Sequence, residues 1–324
     1  MKTLRRVYGI HARDEWRLRR VLPPGDSRRM NLSDTRESSA AIARRPATQV
    51  ASFVDLVSLI AFLSVMNKQL VLLFRGQRHD FSLTPTLFRD SWKSPLEPDS
   101  VRVPLADARM DYWAGLTLVE SIVLRVLERH GVPRWRHLKA YREARWAVIQ
   151  HYELWPTPLL DLTSSLRVAA SFSFGCDPNA TNGYLYVLGV SRIRGDLMGL
   201  ARAQLNPANS DRPEREAGVL ALRLNSVCPP SALRPHLQEG VLIGRYPSPV
   251  PDIVGPAGDA GSILVAKLEL VNECGGFWST RDYPIHSVES LLPSVSLDPL
   301  LRELRGETRQ LEAVAGTVLA QPQG

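Results

Sequence analysis

Cysteine is scarce in this chain, and the few residues present stand far apart. Cys176, Cys228 and Cys274 are odd in number and form no Cys-x-x-Cys pair. Such spacing supports neither a disulfide framework nor a zinc site. The expectation is a reducing compartment with the three thiols as small core residues. Also missing is an apolar run of about 18 residues, the length that spans a bilayer. The best stretch, residues 53–66, is interrupted by Asp55, Ser58 and Ser64. The N-terminus has no apolar signal-peptide core, since Arg5-Arg6 is followed by Tyr8, His11 and Arg13-Asp14-Glu15. These absences point to a cytoplasmic protein with no membrane partner.

Several motifs of catalysis are absent too. No Walker A and no Gly-x-Gly-x-x-Gly pattern occurs, and no Gly-x-Ser-x-Gly elbow supports a Ser-His-Asp triad. No histidine and carboxylate stand at zinc-ligand spacing around His151, so no metal is expected. The lack of a metal-type carboxylate cluster argues against a two-metal nuclease. Neither an internal repeat nor a low-complexity block is found.

Composition is that of a globular protein, with 44% hydrophobic and 23% charged residues, enough apolar side chains for a sizeable core. The net charge of +7 is local. Residues 1–50 hold twelve of the 40 Lys and Arg but five of the 33 Asp and Glu, which leaves 28 of each sign in the rest. The basic balance therefore describes an arm at residues 1–47, not a basic globular surface. Either the arm is a solvated tail or it contacts a nucleic-acid or protein target. Residues 48–305 read as one domain and 306–324 as a tail.

Apolar spacing predicts a largely buried helix over 51–67 and a central strand over 69–74, buried on both faces. Residues 77–104 read as a loop. A long helix is expected over 105–130, with Leu116, Leu118, Val119, Ile122, Val123, Val126 and Leu127 on one face and Gly131-Val132-Pro133 as its stop. A second helix covers 135–150 and a short one 166–174. Asn182-Gly183 is a turn signal before a strand at 184–190, and a loop spans 205–214. Further strands are expected at 219–224, 240–243 and 262–270, with a helical pattern over 282–305. Helices first and strands later argue for an α+β fold with a mixed sheet core.

Three segments carry candidate chemistry. Phe74-Arg75-Gly76 closes the first strand. A guanidinium there is costly to bury unless it meets an anion or several carbonyls. Arg75 either grips a phosphate or carboxylate or ties loop carbonyls together. Gly76 permits unusual backbone angles or close ligand approach. In the second segment, His151-Tyr152 leads to Asp161 inside an apolar run, then Thr163-Ser164-Ser165. One of these hydroxyls caps the next helix, where N–H groups also favour anions. The third segment, Arg234 to Gly240, sets Gln238 and Glu239 before an apolar run, as a polar strand edge or a ribose contact.

Together these segments resemble the FRG domain, named for its Phe-Arg-Gly motif. The residues that carry the resemblance are Phe74-Arg75-Gly76-Gln77 with Leu83, Pro85, Leu87, Phe88 and Arg89. They continue with Gln150-His151-Tyr152, Pro156-Thr157, Leu159-Leu160-Asp161, Thr163, Ser165 and Ala169-Ala170-x-Phe172, then Arg234, Gln238 and Gly240. The likeness extends over about residues 50–305. Departures are Glu153 where the family has Gly, an extra residue near Trp155, Pro158 in place of Arg and Leu162 in place of Trp.

The order of the motifs also resembles that of ADP-ribosyltransferases, whose fold and activity this second resemblance implies. Arg75 would then hold the phosphate or ribose of NAD, the substrate. Phe74, Gly76, Gln77, Tyr152, Thr163, Ser164 and Ser165 would line the pocket. Gln238 would orient ribose hydroxyls, with assistance from His151 or Asp161. Gln238 is an amide where those enzymes place a glutamate, and a lost anion of that kind costs on the order of 10²–10³ in rate. Glu239, if on a strand, points to the opposite face. Three functions follow: an NAD-cleaving enzyme that transfers ADP-ribose to a macromolecule or water, a non-catalytic nucleotide- or partner-binding module, and a nucleic-acid-binding protein acting through its arm. The family resemblance makes bacterial toxin or phage-defence settings plausible.

Overall fold

The computed structural model describes residues 7–8, 36–37, 39–68, 70–89, 91–92, 103–104, 109–132, 135–191, 218–246, 263–278 and 283–308. Most of the basic arm, the loop expected at 205–214, Pro133 and residues 309–324 lie outside them. The chain begins with β1 (Val7–Tyr8), β2 (Arg36–Glu37), α1 (Ser39–Arg44), β3 (Thr48–Val50), α2 (Phe53–Met66) and β4 (Leu70–Gln77). Next come β5 (Ser91–Trp92), β6 (Val103–Pro104), α3 (Arg109–Arg129), α4 (Trp135–Ala140), α5 (Arg142–His151), β7 (Leu160–Thr163) and α6 (Leu166–Ser173). Then follow β8 (Asn182–Ser191), β9 (Gly218–Arg223), α7 (Leu233–Leu237), β10 (Gly240–Tyr246), β11 (Leu264–Val271) and α8 (Val288–Leu291). A last helix, α9, covers residues 299–308, so 306–308 belong to a helix and not to a tail. No helix among the described residues is long and apolar enough to cross a membrane.

The chain divides into two compact units. One holds residues up to Leu83, Leu162–Arg192 and Asp259–Leu291; the other holds Thr84–Asp161, Ile193–Gly258 and the residues from Leu292. In the first unit the sheet order is β3-β11-β8-β4-β7. The β3–β11 pair is parallel and the others are antiparallel, so the sheet is mixed and the fold is α+β. Apolar and β-branched residues make β4 a strand, and it is central, but only Leu73 and Phe74 are buried. The expected burial on both faces is therefore restricted to its middle.

Helix α6 lies on this sheet at unusually short range. A Cβ on Gly76 would stand 1.9 Å from the Ala169 carbonyl oxygen, and one on Gly183 would stand 2.1 Å from the Ser173 carbonyl oxygen. The Ser173 hydroxyl serves the contact by donating to the carbonyls of Ala169 and Tyr184 at 3.0 and 2.8 Å. Asn182-Gly183 accordingly lies inside β8 and is not a turn. Helix α2 starts at Ser52, whose hydroxyl accepts from Asp55 N at 3.1 Å. It buries Phe53, Leu56, Ile60 and Leu63, while Val54, Val57 and Val65 are exposed. One face is buried, fewer residues than the dense apolar run suggests. Phe53 stacks on Trp278 with ring centroids 5.2 Å apart.

In the second unit α3 buries Leu116, Val119, Ile122, Val123, Val126 and Leu127 against α5 and its neighbours, while Leu118 faces solvent. Gly131 ends α3 with φ +62°, the left-handed stop expected there. The helix expected over 135–150 is broken at Tyr141 into α4 and α5. Arg145 makes the break tolerable by donating to the Leu138 and Lys139 carbonyls that α4 leaves open. Buried Glu120 joins α3 to α5, accepting from Arg142 at 2.8 Å, Arg145 at 2.9 Å and the Trp146 indole at 2.6 Å. Strands β10 and β9 pair antiparallel, with Val241 opposite Arg223.

Gly76→Ala drives a methyl group into helix backbone and is expected to destabilise by about 3 kcal/mol or more, seen as a lower chemical-denaturation midpoint. Glu120→Ala leaves the Arg145 guanidinium buried without its carboxylate. Its expected cost is about 3–5 kcal/mol in the same measurement.

Candidate functional site

Strand alternation sets Phe74 and Gly76 on one face of β4 and Arg75 and Gln77 on the other. Arg75 is the sixth of eight strand residues, because the strand continues beneath α6 through Gly76 and Gln77. Its Nε donates to the Gln77 side chain at 3.3 Å, and Gln77 donates to the Phe81 carbonyl at 3.1 Å. Tyr186 stands opposite both Arg75 and Lys267. Its hydroxyl donates to Asp80 at 2.6 Å, and Lys267 pairs with the other Asp80 oxygen at 2.8 Å. Burial works against the Asp80 carboxylate, but these two donors hold its pKa below the usual carboxylate range. Arg75 thus sits in a polar row of the sheet.

The register Phe74↔Thr163 places Thr163 on the face of Phe74, away from Arg75. Arg75 and Thr163 therefore do not converge. The buried Thr163 hydroxyl accepts from Ser165 N at 2.9 Å, closing the turn into α6. Ser165 occupies the cap position without a side-chain capping bond, and Ser164 is exposed. The hydroxyls are used differently from the expected cap. The expectation that Gly76 admits a ligand is also corrected: its φ is not positive, and the backbone of α6 fills the space over it. Phe74 is buried at 6% exposure.

The second unit brings His151 and Asp161 together. His151 ends α5 and is 2% exposed, and its Nδ1 lies 3.1 Å from Asp161 Oδ1. With Asp161 ionised, Nδ1–H donates and Nε2 is left with a free lone pair. Nε2 is buried and has no hydrogen-bond partner among the described residues. Asp161 reaches solvent, with a side chain 31% exposed. Gly240 makes room for the ring: a Cβ there would stand 3.1 Å from His151 Cε1 and 2.7 Å from Leu224 Cδ1.

Neighbouring motif residues support this pair. Tyr152 is fully buried and donates to Asp298 at 3.0 Å, which closes it to any cofactor. Burial, then Cys228 and Asp298, push its phenol pKa up. Asp298 also accepts from Arg234 N and Leu301 N, both at 3.0 Å, and so caps α9. The Arg234 guanidinium donates to Glu153 at 2.6 Å. Glu153 has φ 57°, a conformation that favours glycine, which gives the family preference at this position a physical cause. Trp155 packs on Gly115, where a Cβ would stand 2.2 Å from its ring. Gln238 is buried at the C-cap of α7, and Glu239 follows in a turn with φ 47°. Neither residue is on a strand, so the expected opposite-face argument for Glu239 does not hold.

An imidazole with one nitrogen fixed by a carboxylate is oriented as a general base is, and here its other nitrogen lies buried inside the fold. Burial and the Asp298 charge raise the Cys228 thiol pKa, and burial and Glu289 raise that of Cys176, so both buried thiols stay protonated and un-nucleophilic. Among the described residues no group of three or more His, Cys, Asp or Glu is placed to hold a metal. Sequence reasoning missed Asp298, which lies outside every motif, and left Arg89 without a role although it stands inside one.

Residues 71–182 match the family model described as the FRG domain. The match takes in Arg75, His151, Asp161 and Thr163 and leaves out Arg234, Gln238 and Gly240. No curated protein and no solved structure matches the chain.

Asp161→Asn removes the anion that selects the His151 tautomer. Long-range proton–nitrogen NMR spectra are expected to show the Nδ1–H form in the native protein and a mixture in the variant, with the fold retained.

Proposed function

We propose that the chain, whose residues 71–182 match the FRG domain model, cleaves the nicotinamide–ribose bond of NAD and passes ADP-ribose to water or to a macromolecular hydroxyl. The observation that carries this reading is the His151–Asp161 pair, whose buried Nε2 has no partner among the described residues. His151 takes the proton of the attacking hydroxyl as its oxygen bonds to ribose C1′. The C1′–N bond breaks, and its electron pair returns to the pyridinium ring, so nicotinamide leaves neutral. Asp161 balances the imidazolium that forms. Asp161 thereby supplies an anion that Gln238 lacks. The choice of NAD rests on the order of the Arg75, Thr163/Ser165 and Gln238 motifs, an analogy of layout. The analogy is one of motif order alone, since Arg75 and Thr163 face opposite sides of their sheet.

A second reading, nucleotide binding without turnover, is favoured by two facts. Arg75 and Thr163 face opposite sides of their sheet, and Gln238 is a neutral amide. Release of labelled nicotinamide separates the two readings. In an enzyme, His151→Gln lowers turnover by about 10²–10⁴-fold. Release that persists at the native rate in His151→Gln would rule out the base assigned here. Calorimetric NAD binding with no release by the native protein selects the binding module.

A further inference from the structure

We propose that Arg89 is the anion-binding residue of the His151–Asp161 site and grips a phosphate group of the nucleotide substrate. The proposal rests on the reading of that site as one that acts on an NAD-type nucleotide. Arg89 follows a 3-10 turn at Thr86–Phe88 in the second unit. Its Nε donates to the Thr84 carbonyl at 3.0 Å, which fixes the base of the guanidinium. Its two terminal nitrogens make no hydrogen bond or ion pair among the described residues, and the residue is exposed. Arg129, Arg142, Arg145 and Arg234 in the same unit each hold a carboxylate instead.

The turn that carries Arg89 is docked on the two segments that carry the pair. Gln150, next to His151, donates to the Thr86 hydroxyl at 3.4 Å. Leu87 N donates to the Thr157 carbonyl at 3.2 Å, and Leu87 is buried at 2% exposure. Thr157 in turn donates to Gln150 at 2.7 Å and lies four residues before Asp161. These bonds hold the Arg89 turn at a set position on the segments that carry the pair; burial lowers the pKa of its guanidinium, and the Asp161 charge works against that shift. A fixed guanidinium with a free outer fork matches two oxygens of a phosphate. Asp161, already engaged by His151, offers local attraction for the guanidinium without closing that fork.

Steady-state kinetics with NAD and with nicotinamide riboside, which has the same scissile bond but no phosphate, tests the assignment. Arg89→Gln is expected to raise KM for NAD about tenfold to a hundredfold, with kcat nearly unchanged, because a remote phosphate contact contributes equally to the ground and transition states. KM for the riboside does not move, and Arg89→Lys falls between native and Arg89→Gln. An unchanged KM for NAD in Arg89→Gln overturns the proposal while leaving the NAD reading intact. If the native protein releases no nicotinamide, that reading fails, and calorimetry with inorganic pyrophosphate decides the role of Arg89. Binding abolished in Arg89→Gln supports an anion site there; equal binding in both proteins, or none in the native, overturns it.

Discussion

Helix α6 approaches the first unit's sheet so closely that no side chain fits beneath it at Gly76 and Gly183. Much of the local order follows from this contact. Gly76 and Gly183 must occupy the face that meets α6, so alternation sends Arg75 and Gln77 to the other face. Thr163, opposite Phe74, is held on the helix side, where its hydroxyl shapes the turn that starts α6. The glycine of the Phe-Arg-Gly motif is thus explained by packing, and the arginine by the polar row it joins with Gln77, Tyr186 and Lys267.

The second unit repeats the device with a different outcome. Gly240 leaves space that an imidazole fills, and among the described residues that imidazole is bonded at one nitrogen only. An unsatisfied buried polar atom costs about 1–3 kcal/mol. The surrounding motif residues hold the ring there regardless. Tyr152, Arg234 and α9 are gathered on Asp298, and Glu153 is held in a left-handed conformation by Arg234. Positions where the chain departs from the FRG pattern, Glu153 and Trp155, therefore have local partners of their own.

Elements with a strong single period were legible. The α3 stripe and its Gly131 stop, the β4 run and the strands near 219, 240 and 264 all appear within a few residues of their expected bounds. Features that depend on a distant partner were not. The exposure of Val54, Val57 and Val65 is unreadable in a helix whose apolar residues outnumber one face. The break at Tyr141 depends on a guanidinium from the following helix. Asp298 has a local signal only as the cap before Pro299 and α9; its hold on Tyr152 and Arg234 comes from two donors brought to it by folding.

The site shows the same division. The sequence by itself determined which residue types were available: a histidine and an aspartate ten positions apart, a strand arginine before a glycine, and an amide where an anion would serve catalysis. Spacing along a chain does not say which face a side chain takes, since a one-residue change in register reverses it. Only the tertiary structure decided that Thr163 turns away from Arg75, that Gly76 lies under a helix, and that His151 meets Asp161 with its second nitrogen buried. The physical reason is that faces and hydrogen-bond partners are set by pairing and close packing between segments far apart in the chain.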